Sequence, residues 1–312
     1  MTWPIVVPVH LGCCPGEPRC VWCSPPPPAP DLDAVTASVW MARERDPSAV
    51  VAFIGGRPPD DDLLDAIDGA PFWCRVRPDL LDPEAAEYLF ERGCTGFELD
   101  VATLDDEALA RTGRPYDAAR VFRMAAALRQ RGRVGAVLAP GWPYTSAEIA
   151  LDDARRLVGH VDRIRLHPVL VLMGSRLEGL HRNGLYAALP LGEAVTLCRT
   201  LLDLLEGAGI EVVRVGLHPE ADGFGRALAG PRHPALREAA EAHRALAAVR
   251  AELATVPRGA DVTVYCAPCD ETRTRGPLNE NVRTLRADLA LSEVSIVPDA
   301  ELTRGAWRVA VR

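Results

Sequence analysis

The chain has 312 residues, of which 48% are hydrophobic, so it can bury one large core and a small second module. Its 35 cationic side chains against 43 acidic ones give a net charge of −8, and all 35 cations are arginine. This composition argues against a protein that coats nucleic acid through bulk positive charge. It also excludes Schiff-base, P-loop-lysine and lysine-general-base chemistry.

The N-terminus and the hydropathy pattern bear on the compartment. The first residues carry no basic segment ahead of an apolar core, so they do not resemble a signal peptide. No apolar run reaches the roughly 18 residues that a membrane span needs. We therefore expect a cytoplasmic protein without a membrane partner, in which nine cysteines are metal ligands or core residues rather than disulfides.

Short β-rich segments alternate with helical segments over the first two thirds of the chain. Runs of Val, Ile, Leu and Phe predict strands at 4–10, 49–54, 72–76, 96–101, 133–139 and 161–169. Helical spacing and end signals predict helices at 84–92, 117–131 and 146–158 between them, with a further helix at 191–206 and a strand at 211–215. Such strand–helix repeats are typical of a parallel α/β architecture, either an open sheet or a barrel.

The last third has a different pattern. Several Gly and Pro residues predict a linker at 223–234, and an alanine-rich helix follows at 235–254. Beyond it the pattern predicts a strand at 261–265, a helix at 278–289, and strands at 294–297 and 307–311. We therefore divide the chain into a main domain at 1–232 and a C-terminal helix with a small α+β module at 233–312.

The strongest chemical signal is a group of cysteines after the first strand. Cys13, Cys14, Cys20 and Cys23 fall within eleven residues, among glycines and prolines. An iron–sulfur cluster needs several thiolates that converge, which a Gly/Pro-rich loop can supply. Cys20 and Cys23 place two ligands on one tight turn, and a third from Cys14 or Cys13 would leave one iron of a four-iron cluster open to a cofactor or substrate. The alternatives are a closed zinc site on all four thiolates or no metal.

The other cysteines are less informative. Cys266 and Cys269 form a Cys-x2-Cys pair, but two thiolates alone hold a metal poorly, so we interpret them as a chance pair in a turn. Cys74, Cys94 and Cys198 occur singly in apolar stretches, which is typical of small core residues.

Several short motifs, in a consistent order, resemble one known family. They are His10-Leu11-Gly12-Cys13, Cys20-Val21-Trp22-Cys23, Ala52-Phe53-Ile54-Gly55-Gly56, Arg77-Pro78-Asp79, Glu98-Leu99, Arg165-Leu166-His167-Pro168-Val169-Leu170-Val171, Gly174-Ser175-Arg176-Leu177, Arg214-Val215-Gly216-Leu217 and Ala229-Gly230-Pro231. Together they resemble the bacterial radical S-adenosylmethionine (SAM) proteins similar to elongator protein 3, without its acetyltransferase domain. The resemblance implies a partial (β/α)6 TIM-like barrel of the radical SAM type over 1–232, followed by the small module.

The resemblance also implies cofactors and their contacts. A [4Fe–4S] cluster would be held by Cys14, Cys20 and Cys23, and SAM would chelate the open iron. Trp22 would lie near the adenine of SAM, Gly55 and Gly56 would offer backbone groups to its methionyl end, and Glu98 and Arg165 would contact SAM or the substrate. Reduction of the cluster would cleave SAM to a 5′-deoxyadenosyl radical, which abstracts a hydrogen from the substrate. An electron donor is then a required partner, and the substrate is a small molecule or a tRNA base.

The chain departs from the family pattern at several of these positions. Five residues separate Cys14 from Cys20, where family members usually have three between the first two cysteines. Arg57-Pro58-Pro59 follows the glycine pair, and Asp100 and Ala102 replace the family's Gly and Gln on the fourth strand. Two hypotheses follow. The first is a radical SAM enzyme that abstracts hydrogen, and the alternative is a degenerate, non-enzymatic descendant that acts as a binding or regulatory protein.

Overall fold

The structure is a computed structural model that describes residues 4–14, 19–24, 28–217 and 226–312. The chain divides into two compact units. The first consists of the residues up to Pro190 together with Leu201–Arg232, and the second of Leu191–Thr200 and His233–Arg312. Each unit is described by itself below.

The first unit alternates strands and helices along most of its length. Its strands are β1 (Val6–Gly12), β2 (Val50–Gly55), β3 (Phe72–Val76), β4 (Cys94–Ala102), β5 (Arg133–Leu138), β6 (Arg163–Leu166), β7 (Val171–Leu172), β8 (Glu211–Val215) and β9 (Ala227–Ala229). Its helices are α1 (Leu32–Arg45), α2 (Asp61–Ala66), α3 (Pro83–Glu91), α4 (Asp106–Arg111), α5 (Ala118–Leu128), α6 (Ala147–Leu157) and α7 (Arg176–Arg182), and α8 (Leu191–Gly207) runs across the division between the units.

Seven of these strands form one sheet in the order β1-β2-β3-β4-β5-β6-β8, and every neighbouring pair is parallel. The register aligns Arg75 of β3 with Glu98 of β4, Glu98 with Gly135 of β5, and Gly135 with Arg163 of β6. We call the face of the sheet on which these side chains lie the inner face. The predicted parallel partial barrel is confirmed, with seven parallel strands where the resemblance implied six.

The helices of the first unit begin at side chains that cap them. The N-cap residues of α1 to α7 are aspartate or serine, and each accepts a hydrogen bond from a backbone N–H of the first turn. In α5 the buried residues Val121, Met124 and Leu128 recur at helical spacing and pack against β4 and β5. Helices therefore cover the face opposite Glu98, and the inner face is left for polar side chains.

Two predictions for this unit need correction. The strand predicted at 161–169 ends at Leu166, because Pro168 cannot donate a hydrogen bond to a ladder. The chain then forms the short strand β7, which pairs antiparallel with β9. Part of the predicted linker at 223–234 is therefore a strand, while residues 223–225 fall outside the described part of the chain.

The second unit contains a three-stranded sheet in the order β11-β10-β12, formed by Asp261–Cys266 (β10), Glu293–Pro298 (β11) and Trp307–Val311 (β12). The first two strands are parallel, and β12 is antiparallel to β10. The helices Leu236–Glu252 and Glu280–Asp288 belong to the same unit and contribute Val249 and Leu285 to its core. Among the described residues of either unit, we find no helix with the length and apolar character needed to cross a bilayer.

Candidate metal centre at the end of the first strand

Four thiols converge after β1. The sulfur atoms of Cys13, Cys14, Cys20 and Cys23 all lie within 4.8 Å of one another. The Cys14 and Cys23 sulfurs are 3.4 Å apart, and those of Cys20 and Cys23 are 3.2 Å apart. No other set of three or more potential metal ligands occurs in the described ranges. These thiols are therefore the candidate ligands of a metal centre.

The backbone explains why the loop brings these sulfurs together. Gly12 ends β1 with a φ of 74°, a conformation that favours glycine and turns the chain out of the sheet. Further along, the N–H of Cys20 donates to the sulfur of Cys14 at 3.4 Å. The next residue, Val21, donates to the carbonyl of Thr112 and accepts from the N–H of Leu177, both at 2.8 Å. The second half of the loop is thus fixed to two other segments of the first unit.

Gly55 and Gly56 lie directly against the first half of this loop. The N–H of Gly56 donates to the carbonyl of Gly12 at 2.7 Å. A Cβ atom at Gly56 would lie 1.7 Å from the carbonyl oxygen of Cys13, and one at Gly55 would lie 2.6 Å from that of Gly12. The two glycines are therefore needed for the close approach of β2 to the cysteine loop.

Arginines supply positive charge beside the sulfurs. An Nη atom of Arg77 is 3.0 Å from the Cys14 sulfur, and Asp79 holds this guanidinium with two bonds of 3.0 and 2.6 Å. On the other side, an Nη atom of Arg114 is 4.0 Å from the Cys13 sulfur. Contact with the Cys13 thiol lowers the pKa of Cys14 to about 6. A lowered pKa favours the thiolate, which is the form that binds metals.

The donor set fits an iron–sulfur cluster in its chemistry. It offers soft thiol ligands, two of them buried, with guanidinium groups to offset the negative charge of bound thiolates. Cys14, Cys20 and Cys23 would hold the metal, and Cys13 lies close enough to be a fourth ligand.

Trp22 anchors the cysteine loop to the segment after β6. Its indole N–H donates to the carbonyl of Leu170 at 2.9 Å. The ring packs against a buried cluster that includes Val169 and Leu177. The residue between two of the thiols is therefore held in one orientation.

Glu98 and Arg165 also come together, on the inner face of the sheet. The carboxylate of Glu98 is 1% exposed, and the Arg165 Nε atom lies 2.8 and 2.7 Å from its two oxygens. Arg75 is 3.4 Å from the same carboxylate and Arg163 is 3.9 Å from it. Burial alone would raise the pKa of Glu98, but Arg165 and Arg75 hold it below its usual value. Glu98 is thus ionised and shared by three arginines.

Comparison with known proteins identifies the fold. The family model described as the Radical_SAM C-terminal domain matches residues 161–248. Elp3 from the archaeon Methanocaldococcus infernus superposes with a TM-score of 0.61 and 15% identity, over 83% of this chain and 70% of that one. Coproporphyrinogen III oxidase (HemN) from Escherichia coli, described as a radical SAM enzyme, gives 0.51 and 16% identity over 66% of this chain and 53% of that one. The fold is that of the radical SAM enzymes.

The radical SAM fold found here also matches methylornithine synthase (PylB), with a TM-score of 0.53 and 14% identity over 74% of this chain and 76% of that one. No curated protein sequence matches the chain. The predicted cofactors, a [4Fe–4S] cluster and SAM, are supported by the family match together with the group of four thiols.

Several residues beside the four thiols were not assigned a role from the sequence. Asp100 accepts a hydrogen bond from Arg114 at 3.3 Å and lies 3.8 Å from the Cys13 sulfur. Tyr116 donates to the backbone carbonyl of Asp100 at 2.9 Å. Asp100 stands where the chain departs from the family pattern, so this departure is the signal that could have found it.

The second cysteine pair has no comparable surroundings. Cys266 is buried at the end of β10 and Cys269 is exposed. Neither joins a group of three metal-ligating side chains in the parts of the chain that the structure describes.

Proposed function

We propose that this protein is a radical SAM enzyme that holds a [4Fe–4S] cluster on Cys14, Cys20 and Cys23. The observation that carries the proposal is the convergence of these thiols at the end of β1. Gly55 and Gly56 allow the end of β2 to lie directly against this loop. When both are bound, the cluster and SAM together would supply one-electron cleavage of SAM, and the resulting carbon radical would abstract hydrogen from the substrate.

The remaining residues hold the cofactors and shape the site. Gly55 and Gly56 let β2 approach the cysteine loop closely, and the methionyl end of SAM would lie beside this approach. Trp22, fixed through Leu170, offers an aromatic surface for the adenine. Arg77 offsets the thiolate charge of Cys14. Glu98 and Arg165 border the SAM site from the inner face, where each orients the other.

The reaction needs two further partners. An electron donor reduces the cluster, and the substrate is a small molecule or a tRNA base. The net charge of −8 favours the small molecule, because a polyanion such as tRNA is bound mainly through positive charge.

The test is reductive cleavage of SAM. Protein reconstituted with iron and sulfide without oxygen is reduced with dithionite in the presence of SAM, and 5′-deoxyadenosine is quantified by liquid chromatography. We expect 5′-deoxyadenosine from the wild type and none from Cys20→Ala, with Cys266→Ala as the matched control that retains activity. Cluster-loaded wild-type protein that yields no 5′-deoxyadenosine would refute the proposal.

A second candidate is a non-enzymatic binding or regulatory protein with a closed metal site. The observation that favours it is the proximity of Cys13 to the other three thiols. Four thiolates around one zinc ion lie about 3.8 Å apart, since zinc–sulfur bonds are about 2.3 Å long and tetrahedral. Cys13→Ser separates the candidates. A closed four-thiolate site loses its metal in this variant, whereas a cluster on Cys14, Cys20 and Cys23 keeps its iron.

A further inference from the structure

The inner face of the sheet carries more positive than negative charge around Glu98. Three guanidinium groups, those of Arg75, Arg163 and Arg165, lie within 3.9 Å of this one carboxylate. We call these four residues the arginine layer. Its formal charge is +2, because a single carboxylate balances only one of the three arginines. Uncompensated charges in a partly buried position cost free energy, so such a group favours a bound counter-anion.

The geometry of the sheet produces this grouping. Arg75, Glu98 and Arg163 occupy the same register level, with Gly135 between Glu98 and Arg163. A Cβ atom at Gly135 would lie 3.0 Å from the side chains of both Glu98 and Arg163, so its absence lets Arg163 reach across β5. Arg165 lies two residues further along β6, and its guanidinium reaches back over the ring of Trp73 at 5.3 Å.

Among the described residues, the other titratable groups near the layer do not neutralise its positive charge. Asp100 interacts with Arg75 electrostatically, but it accepts a hydrogen bond from Arg114 at 3.3 Å, and that arginine balances its charge. Burial, reinforced by Arg75 and Arg165, lowers the pKa of His167 well below its usual value, so this ring is neutral.

The arginine layer has unused donors and is open to solvent. The Nε–H groups of Arg75 and Arg163, together with Nε2 of His167, are buried and have no hydrogen-bond partner among the described residues. Yet the side chains of Arg75, Arg163 and Arg165 remain 15, 21 and 20% exposed. An anion would approach the layer through the exposed parts of these three side chains, since the unpartnered Nε–H groups themselves are buried.

The arginine layer also lies close to the four cysteine thiols. Glu98 and Asp100 are two residues apart on β4 and so lie on the same face, about 7 Å apart along the strand. Asp100 is 3.8 Å from the Cys13 sulfur. Arg75 and Arg77 repeat this arrangement, since Arg77 contacts the Cys14 sulfur. A molecule anchored on the arginine layer would thus be held beside the proposed reaction centre.

We propose that the arginine layer binds an anionic group of the substrate, a carboxylate or a phosphate. The assignment of this anion to the substrate rests on the proposed function, whereas the anion site itself rests on the geometry of the arginine layer alone. Guanidinium groups suit both anions, because their paired N–H donors match planar carboxylate and phosphate oxygens.

The test is calorimetric titration of the reconstituted protein at low ionic strength, with inorganic phosphate in one arm and succinate in the other. We expect the wild type to bind at least one of them, and Arg163→Gln and Arg75→Gln to weaken that binding about 10-fold or more. The matched control is Arg133→Gln, which removes the same charge from the exposed start of β5 and should bind like the wild type. Thermal melts check that each variant is folded, and two arginine variants are used so that one unfolded variant does not decide the result.

Two further results distinguish a binding site from a structural network. Glu98→Gln removes the carboxylate that competes for the arginines, so it should tighten anion binding, which damage to the fold would not do. SAM affinity should be unchanged at saturating phosphate. Absence of binding in both arms, equal binding by Arg163→Gln, or competition between phosphate and SAM would overturn the proposal. Anion binding without SAM cleavage would refute the proposed function and leave this site intact.

Discussion

Replacing Gly56 by alanine tests whether the approach of β2 positions the metal ligands. The added Cβ would lie 1.7 Å from the carbonyl oxygen of Cys13, while real Cβ contacts essentially never fall below 3.0 Å. The two backbone segments must therefore separate by about 1.3 Å, because the positions of a Cβ atom and of a carbonyl oxygen are both fixed by the backbone. Metal–ligand distances tolerate only about 0.2 Å. We expect the separation to carry Cys13 and Cys14 out of ligation geometry.

The expected magnitude follows from the same contact. Overpacking of this kind costs about 1–3 kcal/mol, which lowers the melting temperature of a unit of this size by roughly 2–12 °C. The separation also breaks the hydrogen bond from Gly56 to Gly12. The assay is iron per chain after anaerobic reconstitution, with a thermal melt of the metal-free protein.

The matched control for this variant is Gly179→Ala. Gly179 lies in the helix α7 and has no atom within 4 Å of its would-be Cβ, so alanine should be neutral or stabilising by about 0.5–1 kcal/mol. If Gly56→Ala binds as much iron as Gly179→Ala and melts at the same temperature, the close contact of β2 with the cysteine loop does not position the metal ligands. The reasoning would then be wrong.

Two other predictions concern the ligands and the pH dependence of stability. Cys20→Ala or Cys23→Ala should abolish iron binding while Cys266→Ala should not; full iron content in the Cys20 variant would contradict the ligand assignment. Burial raises the pKa of Asp153 to about 6 despite its hydrogen bond from Thr103, so the folded state binds this proton more tightly than the unfolded state. Protonated Asp153 therefore adds roughly 2–3 kcal/mol to the free energy of unfolding below about pH 4, and this stabilisation is lost as the pH rises through about 6. Urea titrations across that range should show this slope in the wild type and not in Asp153→Asn, and equal slopes would disprove the assignment.

The elements of the sheet could be predicted because their signals are local. The strand predicted at 72–76 has those bounds in the structure, and β12 also begins and ends where it was predicted. The strand predicted at 161–169 was too long, because an apolar run does not by itself reveal where a proline ends the ladder. The pairing of β7 with β9 joins segments more than fifty residues apart, and no local pattern encodes it.

In the candidate site, the convergence of the cysteines could be predicted from the sequence, but the surroundings of Glu98 could not. Four cysteines in one short loop indicate their own convergence, which the structure reproduces. The surroundings of Glu98 are different, because its three arginines come from β3 and β6, and the register of strands sets which of them meet. In the sequence Arg75 and Arg163 are two of 35 arginines without distinguishing neighbours. Register is a property of the assembled sheet, and the sequence motifs do not contain it.

The central claim, that the thiols after β1 hold a four-iron cluster, is tested most directly by elemental analysis. Protein purified without oxygen and reconstituted with iron and sulfide is assayed for iron, acid-labile sulfide and zinc per chain. The account predicts about four iron and four sulfide per chain, with both lost in Cys23→Ala. One zinc per chain with no iron or sulfide, or a colourless protein with no metal, would contradict it.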